Sequence, residues 1–215
     1  MDIELVRERM IYHQIRPWEV SDERVLGALA ATPREKFVPD AFRQLAFADT
    51  AIPLPCGQRM LKPIVEGRLL QALQAESNHR VLVIGTGSGF LTAVVATLCD
   101  HVTSVDIHAE LIDSAATRLS HEKIRNVELQ KLDFNEVEAG AGFDRILVTG
   151  SLPLFDPRLP DWLTEGGRLV IITGSAPTMQ VELIIRTDKQ YARKILFETV
   201  VPALENVPTP DVFRF

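Results

Sequence analysis

Val81-Leu82-Val83-Ile84-Gly85-Thr86-Gly87-Ser88-Gly89 is the stretch that decides the fold. Its opening apolar run, rich in β-branched residues, reads as a strand buried on both faces. The glycines that follow permit a tight turn and leave bare backbone that a ligand can approach. Residues 91–98 are apolar enough for a buried helix, and the first turn of a helix leaves N–H groups unpaired. Strand, glycine turn and helix in that order open a βαβ unit.

Downstream the rhythm repeats. The pattern predicts a strand over 102–105 ending in Asp106, a helix over 111–119, and a strand over 127–130 ending near Asp133. Further strands follow over 145–149 and 168–173, the last entered through 162–167. This alternation predicts an α/β fold with a Rossmann-like, doubly wound parallel sheet. Residues 181–186 and 195–200 flank a polar turn and read as an antiparallel pair added at the sheet edge.

Upstream, residues 1–80 read as helices joined by proline breaks. Ile3, Val6, Met10, Ile11 and Ile15 recur at helical spacing up to Pro17. Ser21 is the expected N-cap of a short helix carrying Val25, Leu26 and Leu29, with Arg24 where a capping-box Glu would stand. Pro33 closes that helix, and Phe37-Val38-Pro39 is a second break. Residues 52–58, with Pro53 and Pro55, read as an ordered loop, followed by a helix over 62–75 with Pro63 in its first turn. The expected division is a helical and loop segment, 1–80, packing over the active site, and an α/β ligand-binding domain, 81–215.

Composition bounds the function. With 46% hydrophobic and 24% charged residues the chain can bury a core, which excludes disorder as its default state. A net charge of −6 argues against tracking a nucleic-acid backbone. No run approaches the ~18–20 apolar residues of a membrane span, and the N-terminus alternates charge with apolar residues as no export signal does. The expectation is a cytoplasmic protein with neither a nucleic-acid nor a membrane partner; oligomeric state is not set. Cys56 and Cys99 show no metal-ligand spacing, so no metal is expected, and both thiols are expected reduced, Cys99 within a core helix.

Two chemistries use a glycine turn of this kind. The dinucleotide fingerprint GxGxxG is broken by Phe90. The pattern GxGxG fits enzymes that bind S-adenosyl-L-methionine (SAM), which places Gly85, Thr86, Gly87, Ser88 and Gly89 at the cofactor. Asp106 is positioned to accept from both ribose hydroxyls, and Asp133 from the adenine amino group, with Ile107 and Phe134 beside them in the cofactor site. The plain alternatives are a helix cap for Asp106 and a loop cap for Asp133. His13, His79, His101, His108 and His121 form no HxxH or HExxH pattern and are expected to be structural or surface residues. A carboxylate acceptor is ionised at neutral pH, since its pKa is about 4, so methyl transfer to it needs positioning rather than a general base. After the fourth strand, Thr149-Gly150-Ser151-Leu152-Pro153 lacks the Asn/Asp-Pro-Pro-aromatic segment of many N-methyltransferases. Gly150 and Ser151 either line an acceptor pocket or form a plain turn.

The chain resembles the protein-L-isoaspartate O-methyltransferases along nearly its whole length. The matching residues begin with Arg7-Glu8-Arg9-Met10, Gln14, Asp22-Glu23-Arg24-Val25-Leu26, Pro33-Arg34 and Phe37-Val38-Pro39. They continue through the glycine turn to Thr92-Ala93, then Phe143-Asp144, Val148-Thr149, Glu165-Gly166-Gly167 and Leu169-Val170. The resemblance implies a class I SAM-dependent methyltransferase fold, SAM as cofactor and S-adenosyl-L-homocysteine as product. It also implies a protein or peptide substrate whose isoaspartyl carboxylate is methylated, the first step of repair. The family carries a Thr-Ile-Ser-Gln-Pro type segment at its active site; here the stretch is Arg59-Met60-Leu61-Lys62-Pro63, with Leu61 at the serine position. Leu132 and Val83 also depart from the family's usual glycine and acid. The catalytic candidates are accordingly Leu61, Arg59 and Lys62, and the substrate pocket candidates Gln58, Met60, Gly150 and Ser151. Leu61 favours one alternative, a member retargeted to another acceptor, small molecule or specific protein carboxylate. A second alternative, which turnover would separate from both enzymes, is a SAM-binding module with little catalysis. An NAD oxidoreductase is disfavoured by Phe90.

Overall fold

In the computed structural model, which describes residues 2–137, 142–188 and 190–210, α1 (Ile3–Met10) starts at Asp2, whose carboxylate accepts from the N–H groups of Glu4 and Leu5. The apolar spacing continues through a π-type turn at Ile11–Ile15 and a 3-10 turn at Arg16–Trp18. Glu19, with φ 64°, ends it. The predicted helix is thus one apolar face wound in three helical geometries.

α2 (Glu23–Ala31) is capped by Asp22, not by Ser21 as expected. The Asp22 carboxylate accepts from the Arg24 N–H, while the Ser21 and Asp22 N–H groups donate to Gln71 Oε1. A carboxylate suits the positive end of a helix better than a hydroxyl does. Residues 52–58 are more than a loop. β1 (Ile52–Pro53) pairs antiparallel with β2 (Arg59–Met60) around a 3-10 turn at Pro55–Gly57. Pro53 is tolerated because this small ladder has open edges. α3 (Pro63–Leu73) follows, with Lys62 at its cap position.

The α/β part comprises β3 (Arg80–Ile84), α4 (Phe90–Ala96), β4 (His101–Asp106), α5 (Ala109–His121) and β5 (Val127–Lys131). β6 (Phe143–Leu152), β7 (Leu163–Ser175), β8 (Thr178–Thr187) and β9 (Gln190–Glu198) complete it. One seven-stranded sheet runs β5-β4-β3-β6-β7-β8-β9. Its first five strands are parallel and its last two antiparallel, as the sequence pattern demands. β9 starts earlier than predicted, because pairing continues up to Gln190 opposite Thr187. Arg193 and Lys194 read as polar turn yet suit an edge strand, where charge discourages further pairing. Cys99 is not in a helix; it is buried just beyond the end of α4, its thiol donating to the Val95 carbonyl at 3.3 Å.

The sheet has a core on each face. One unites Met10, Ile15, Leu29 and Phe37 of the N-terminal segment with Leu69, Val94 and Val102. The other gathers Leu82, Ile84, Ile146, Trp162 and Leu169. The first 80 residues therefore share a core with the sheet. Gly89, with φ 84°, lets α4 begin close against α5, since a Cβ there would lie 2.9 Å from Ala115 Cβ. Among the described residues no helix is long and apolar enough to cross a membrane.

The edge pair is fastened by Glu182, buried on β8, which accepts from Thr173 of β7 and Arg193 of β9. Burial works against its ionisation, but the hydrogen bonds from Arg193 and Thr173 outweigh it and hold the carboxyl below its ordinary range. A depressed carboxyl contributes stability that is complete above the unfolded value, about 4.3, and is lost as pH falls through the folded one. Arg193 is partly exposed, so solvent screening limits the contribution to about 1 kcal/mol. Glu182→Gln is expected to lower Tm by about 2–4 °C near neutral pH, and the gap from wild type should close below about pH 4. A gap independent of pH in calorimetric scans would show that charge is not the cause.

Candidate active site

β3 passes through α4 to β4 on one side, while β6 lies against β3 on the other. Such a switch opens a crevice at the carboxyl ends of the strands. A cavity of about 670 Å³, counting the open space at its mouth, lies there. The end of β3 and its turn contribute Ile84, Gly85 and Gly87; the end of β4 contributes Val105, Asp106, Ile107 and His108. Leu111, Leu132 and Phe134 add an apolar side. The N-terminal segment adds Gln58, Arg59 and Leu61.

The turn is shaped by its glycines and held by backbone bonds. Gly85, Gly87 and Gly89 have φ of 90°, 53° and 84°. The N–H groups of Gly85 and Thr86 donate to the Val105 carbonyl at 2.9 and 3.1 Å. A Cβ on Gly85 would run into the Thr149 hydroxyl, which donates to the carbonyls of Ile84 and Gly85 at 3.1 and 2.7 Å. Thr149 reaches this place because β6 bulges: Leu147 faces Val170 but Ser151 faces Ile172, so β6 spends two extra residues between them. Bulges beside sites re-aim side chains in this way. A Cβ on Gly150 would crowd the Leu204 side chain, 2.7 Å from its Cδ2.

Asp106 is buried, its Oδ2 accepting from the Gly87 N–H at 2.9 Å and its Oδ1 from the His108 N–H at 3.0 Å. A carboxylate has about four acceptor sites, so two remain for a ligand. A buried acceptor with spare lone pairs beside an apolar slot of Ile107, Leu111 and Phe134 fits a nucleoside: a ribose diol on the acid and a flat base in the slot.

The other predicted residues divide by geometry. Thr86 and Ser88 do not line the main cavity. The Thr86 hydroxyl turns into a buried chain with Ser104 at 2.7 Å, which Thr92 joins at 2.9 Å. Ser88 Oγ accepts from the Phe90 N–H, and its carbonyl from Arg118. Both residues, with Met60, instead border a smaller cavity of about 320 Å³ that shares Arg59, Leu61 and Gly85 with the larger one. Asp133 faces away from the main cavity: its carboxylate caps a 3-10 turn through the Asn135 N–H and accepts from Asn206 at 2.6 Å. Burial pushes that carboxyl up, but the bonds from Asn206 and Asn135 hold it below its ordinary value. Ser151 is wholly buried, its hydroxyl without a hydrogen-bond partner among the described residues, and it exchanges backbone bonds with Pro202 and Leu204 and does not line the cavity. Lys62 is exposed and lines a different groove, because its extended backbone puts its side chain opposite that of Leu61. Arg59 is exposed at the cavity with no ion-pair partner among the described residues. Leu61 is buried against the cavity, and its carbonyl accepts from Arg34 at 2.8 Å.

Two contributions were not foreseen. Pro202, Ala203, Leu204 and Glu205, beyond the last strand, run along the cavity and bridge to Ser151. His108, expected to be structural or surface, lines the cavity and meets Glu205 at 2.7 Å, and Gln58 donates to the same carboxylate at 3.0 Å.

The family model described as protein-L-isoaspartate(D-aspartate) O-methyltransferase matches residues 6–207. A protein-L-isoaspartate O-methyltransferase of Koribacter versatilis is 40% identical over 183 residues, covering 85% of this chain and 82% of that protein. One of Rhodopseudomonas palustris is 38% identical over 204 residues, covering 93% and 94%. The crystal structure of a Plasmodium falciparum protein of that description, in complex with S-adenosyl-L-homocysteine, has a TM-score of 0.79 at 20% identity, covering 93% of this chain and 98% of that one. At that identity the likeness concerns the fold. The sequence matches reach further, and by them the chain belongs to the protein-L-isoaspartate(D-aspartate) O-methyltransferase family.

Proposed function

We propose that the protein transfers the methyl group of SAM to the free carboxylate of isoaspartyl residues in proteins or peptides, giving a methyl ester and S-adenosyl-L-homocysteine. The observation that carries this is Arg59, a cation without an ion-pair partner among the described residues, placed on the same cavity as Asp106 and the glycine turn. When bound, SAM supplies a methyl group activated by the positive charge of its sulfonium. Asp106, which holds the N–H groups of Gly87 and His108, would accept from the ribose hydroxyls of bound SAM with its remaining lone pairs, so that one carboxylate would orient both nucleoside and turn. Ile107, Leu111 and Phe134, which line the cavity, would exclude water from the adenine side. Arg59 draws in the acceptor carboxylate, and Leu61 beside it sheds water from the acceptor. No residue need remove a proton from the acceptor, whose pKa of about 4 leaves it ionised. The chain acts by positioning and by removing solvent. The two free thiols, Cys56 and Cys99, fit a reducing compartment, and we place the reaction in the cytoplasm.

Arg59→Ala is expected to raise KM for the acceptor about tenfold, the worth of one charge-assisted contact discounted for exposure. Affinity for S-adenosyl-L-homocysteine, read by calorimetry, should stay within about twofold, since about 0.4 kcal/mol is all that allows. Equal losses in both would assign Arg59 to the cofactor instead.

The test of the function itself uses labelled SAM and two peptides identical but for one isoaspartyl or normal aspartyl linkage. Base-labile ester on the isoaspartyl peptide alone supports the reading. Ester on neither, alongside tight binding of S-adenosyl-L-homocysteine, favours the second reading, a member retargeted to another acceptor. The observation behind that alternative is Leu61, which brings a side chain without a hydroxyl to the cavity.

A further inference from the structure

We propose that the polypeptide flanking the methyl acceptor docks in a groove on the outer side of residues 61–62, with Trp18 as its anchor. The proposal rests on the methyltransferase reading and adds to it the surface that receives the substrate chain. The groove, about 750 Å³ with its open side, lies between Trp18, the start of α3 with Lys62 and Ile64, and the end of β9 with Phe197 and Val200. Two of its apolar side chains face water: Trp18 is 54% exposed and Val200 60%. Exposed aromatic surface of this kind marks interaction sites, and Trp is among the residues that most often dominate them.

The anchor is held in advance. Glu19, in the left-handed conformation at φ 64°, pairs through its carboxylate with Arg68 at 2.9 Å, and its carbonyl accepts from Gln71. The Arg68 guanidinium in turn lies 3.9 Å over the Phe197 ring. These contacts fix the backbone next to Trp18 to α3 and to β9. Backbone fixed in this way has little ordering entropy left to lose when a partner binds, and only the Trp18 side chain remains to be ordered.

Continuity with the cavity selects the occupant. Lys62 in the groove follows Leu61 in the cavity, and Val200 in the groove precedes Pro202 in the cavity by two residues. An extended chain advances ~3.3 Å per residue, so residues next to an acceptor held at Arg59 and Leu61 pass over Lys62 within a few steps. Among the described residues, Lys62 and the carboxylates of Asp49 and Glu198 bring charges of both signs to the groove without an ion pair, while Arg68 is already paired with Glu19. Continuity with the cavity and an apolar anchor select an extended polypeptide with an apolar flank, and charges of both signs leave its sequence loosely specified.

Trp162 is buried and Trp18 exposed, so acrylamide quenching of tryptophan fluorescence reads Trp18 in the intact protein. With S-adenosyl-L-homocysteine present, a peptide of about nine residues, some 30 Å when extended, with a central isoaspartyl residue and apolar flanks should protect Trp18 from acrylamide. Trp18→Ala should raise KM for that peptide about tenfold or more, the ordinary range for an anchor residue. Its kcat should hold, and the blocked single isoaspartyl residue should be handled as by wild type; Trp18→Phe should recover most of the loss. An unchanged KM, or an equal loss on the single residue, would overturn the proposal. So would a wild-type dimer that Trp18→Ala makes monomeric in sedimentation, because a second copy would then cover the groove. Methylation of neither acceptor would sink the proposed chemistry, while protection of Trp18 would still decide docking.

Discussion

Arg34→Met is expected to destabilise the protein by about 3–5 kcal/mol, the range for stripping one partner from a buried ion pair. Arg34 is fully buried, and every side of its guanidinium is used. Nε donates to the Ala46 carbonyl and Nη2 to the Leu61 carbonyl, each at 2.8 Å, while Nη1 pairs with Glu66. The group also lies 4.9 Å from the centre of the Phe90 ring, at the start of α4. One side chain thus ties the N-terminal segment, the strand before α3, α3 itself and the helix after the glycine turn. Burial pushes the Glu66 carboxyl up, and Arg34 is the group that opposes this. Methionine would fill much of the volume but leave a buried carboxyl and two carbonyls without their donor. Pairing Arg34→Met with Glu66→Leu should restore part of the stability, since the uncompensated buried carboxyl is then gone while the Ala46 and Leu61 carbonyls still lack their donor. Urea unfolding of wild type, both single variants and the double variant measures this cycle. A single variant as stable as wild type would show that the pair holds nothing together. The double variant should still lose acceptor kcat/KM, because the Leu61 carbonyl has lost its tether at the cavity.

The same residues show what the sequence makes legible. The strand over residues 81–84, the turn after it and Asp106 are local: their pattern lies within one βαβ unit, and the structure brings Gly85, Gly87 and Asp106 to one cavity. Arg59 and Leu61 reach the cavity through a hairpin that the prolines concealed. Once β2 is an extended strand, alternation sends residues 59 and 61 to one side and 60 to the other, and the larger cavity indeed takes Arg59 and Leu61 without Met60. Lys62 is lost from the set by the same alternation: its backbone is still extended, which puts it on the side of Met60. The tail and His108 were illegible for another reason. Glu205 meets His108 across 97 residues and Gln58 across 147, and no local periodicity encodes contacts of that range. Asp133 and Ser151 stand in the right stretches of chain, but a cap and a bulge turn their side chains away from the larger cavity.

Asp106→Ala is expected to weaken binding of S-adenosyl-L-homocysteine by about 10²–10⁴-fold. Two hydrogen bonds from ribose hydroxyls to a buried carboxylate are worth about 1.5–3 kcal/mol each, and about 1.4 kcal/mol is tenfold in affinity. Asp106 also receives the N–H groups of Gly87 and His108, so the variant disturbs the turn as well as removing the acceptor. Asp106→Asn separates the two effects in part, because the amide keeps one oxygen and loses the charge; an intermediate affinity is expected. A sharper separation changes the ligand. Wild-type protein should bind the analogue lacking the ribose 2′-hydroxyl about tenfold or more weakly than the parent, having lost one charge-assisted bond. In Asp106→Ala the two ligands should bind alike, because the carboxylate that distinguishes them is gone. A distorted turn alone would weaken both ligands and preserve their ratio. A ratio that survives in the alanine variant would therefore remove Asp106 from the ribose and leave it as a brace for the glycine turn.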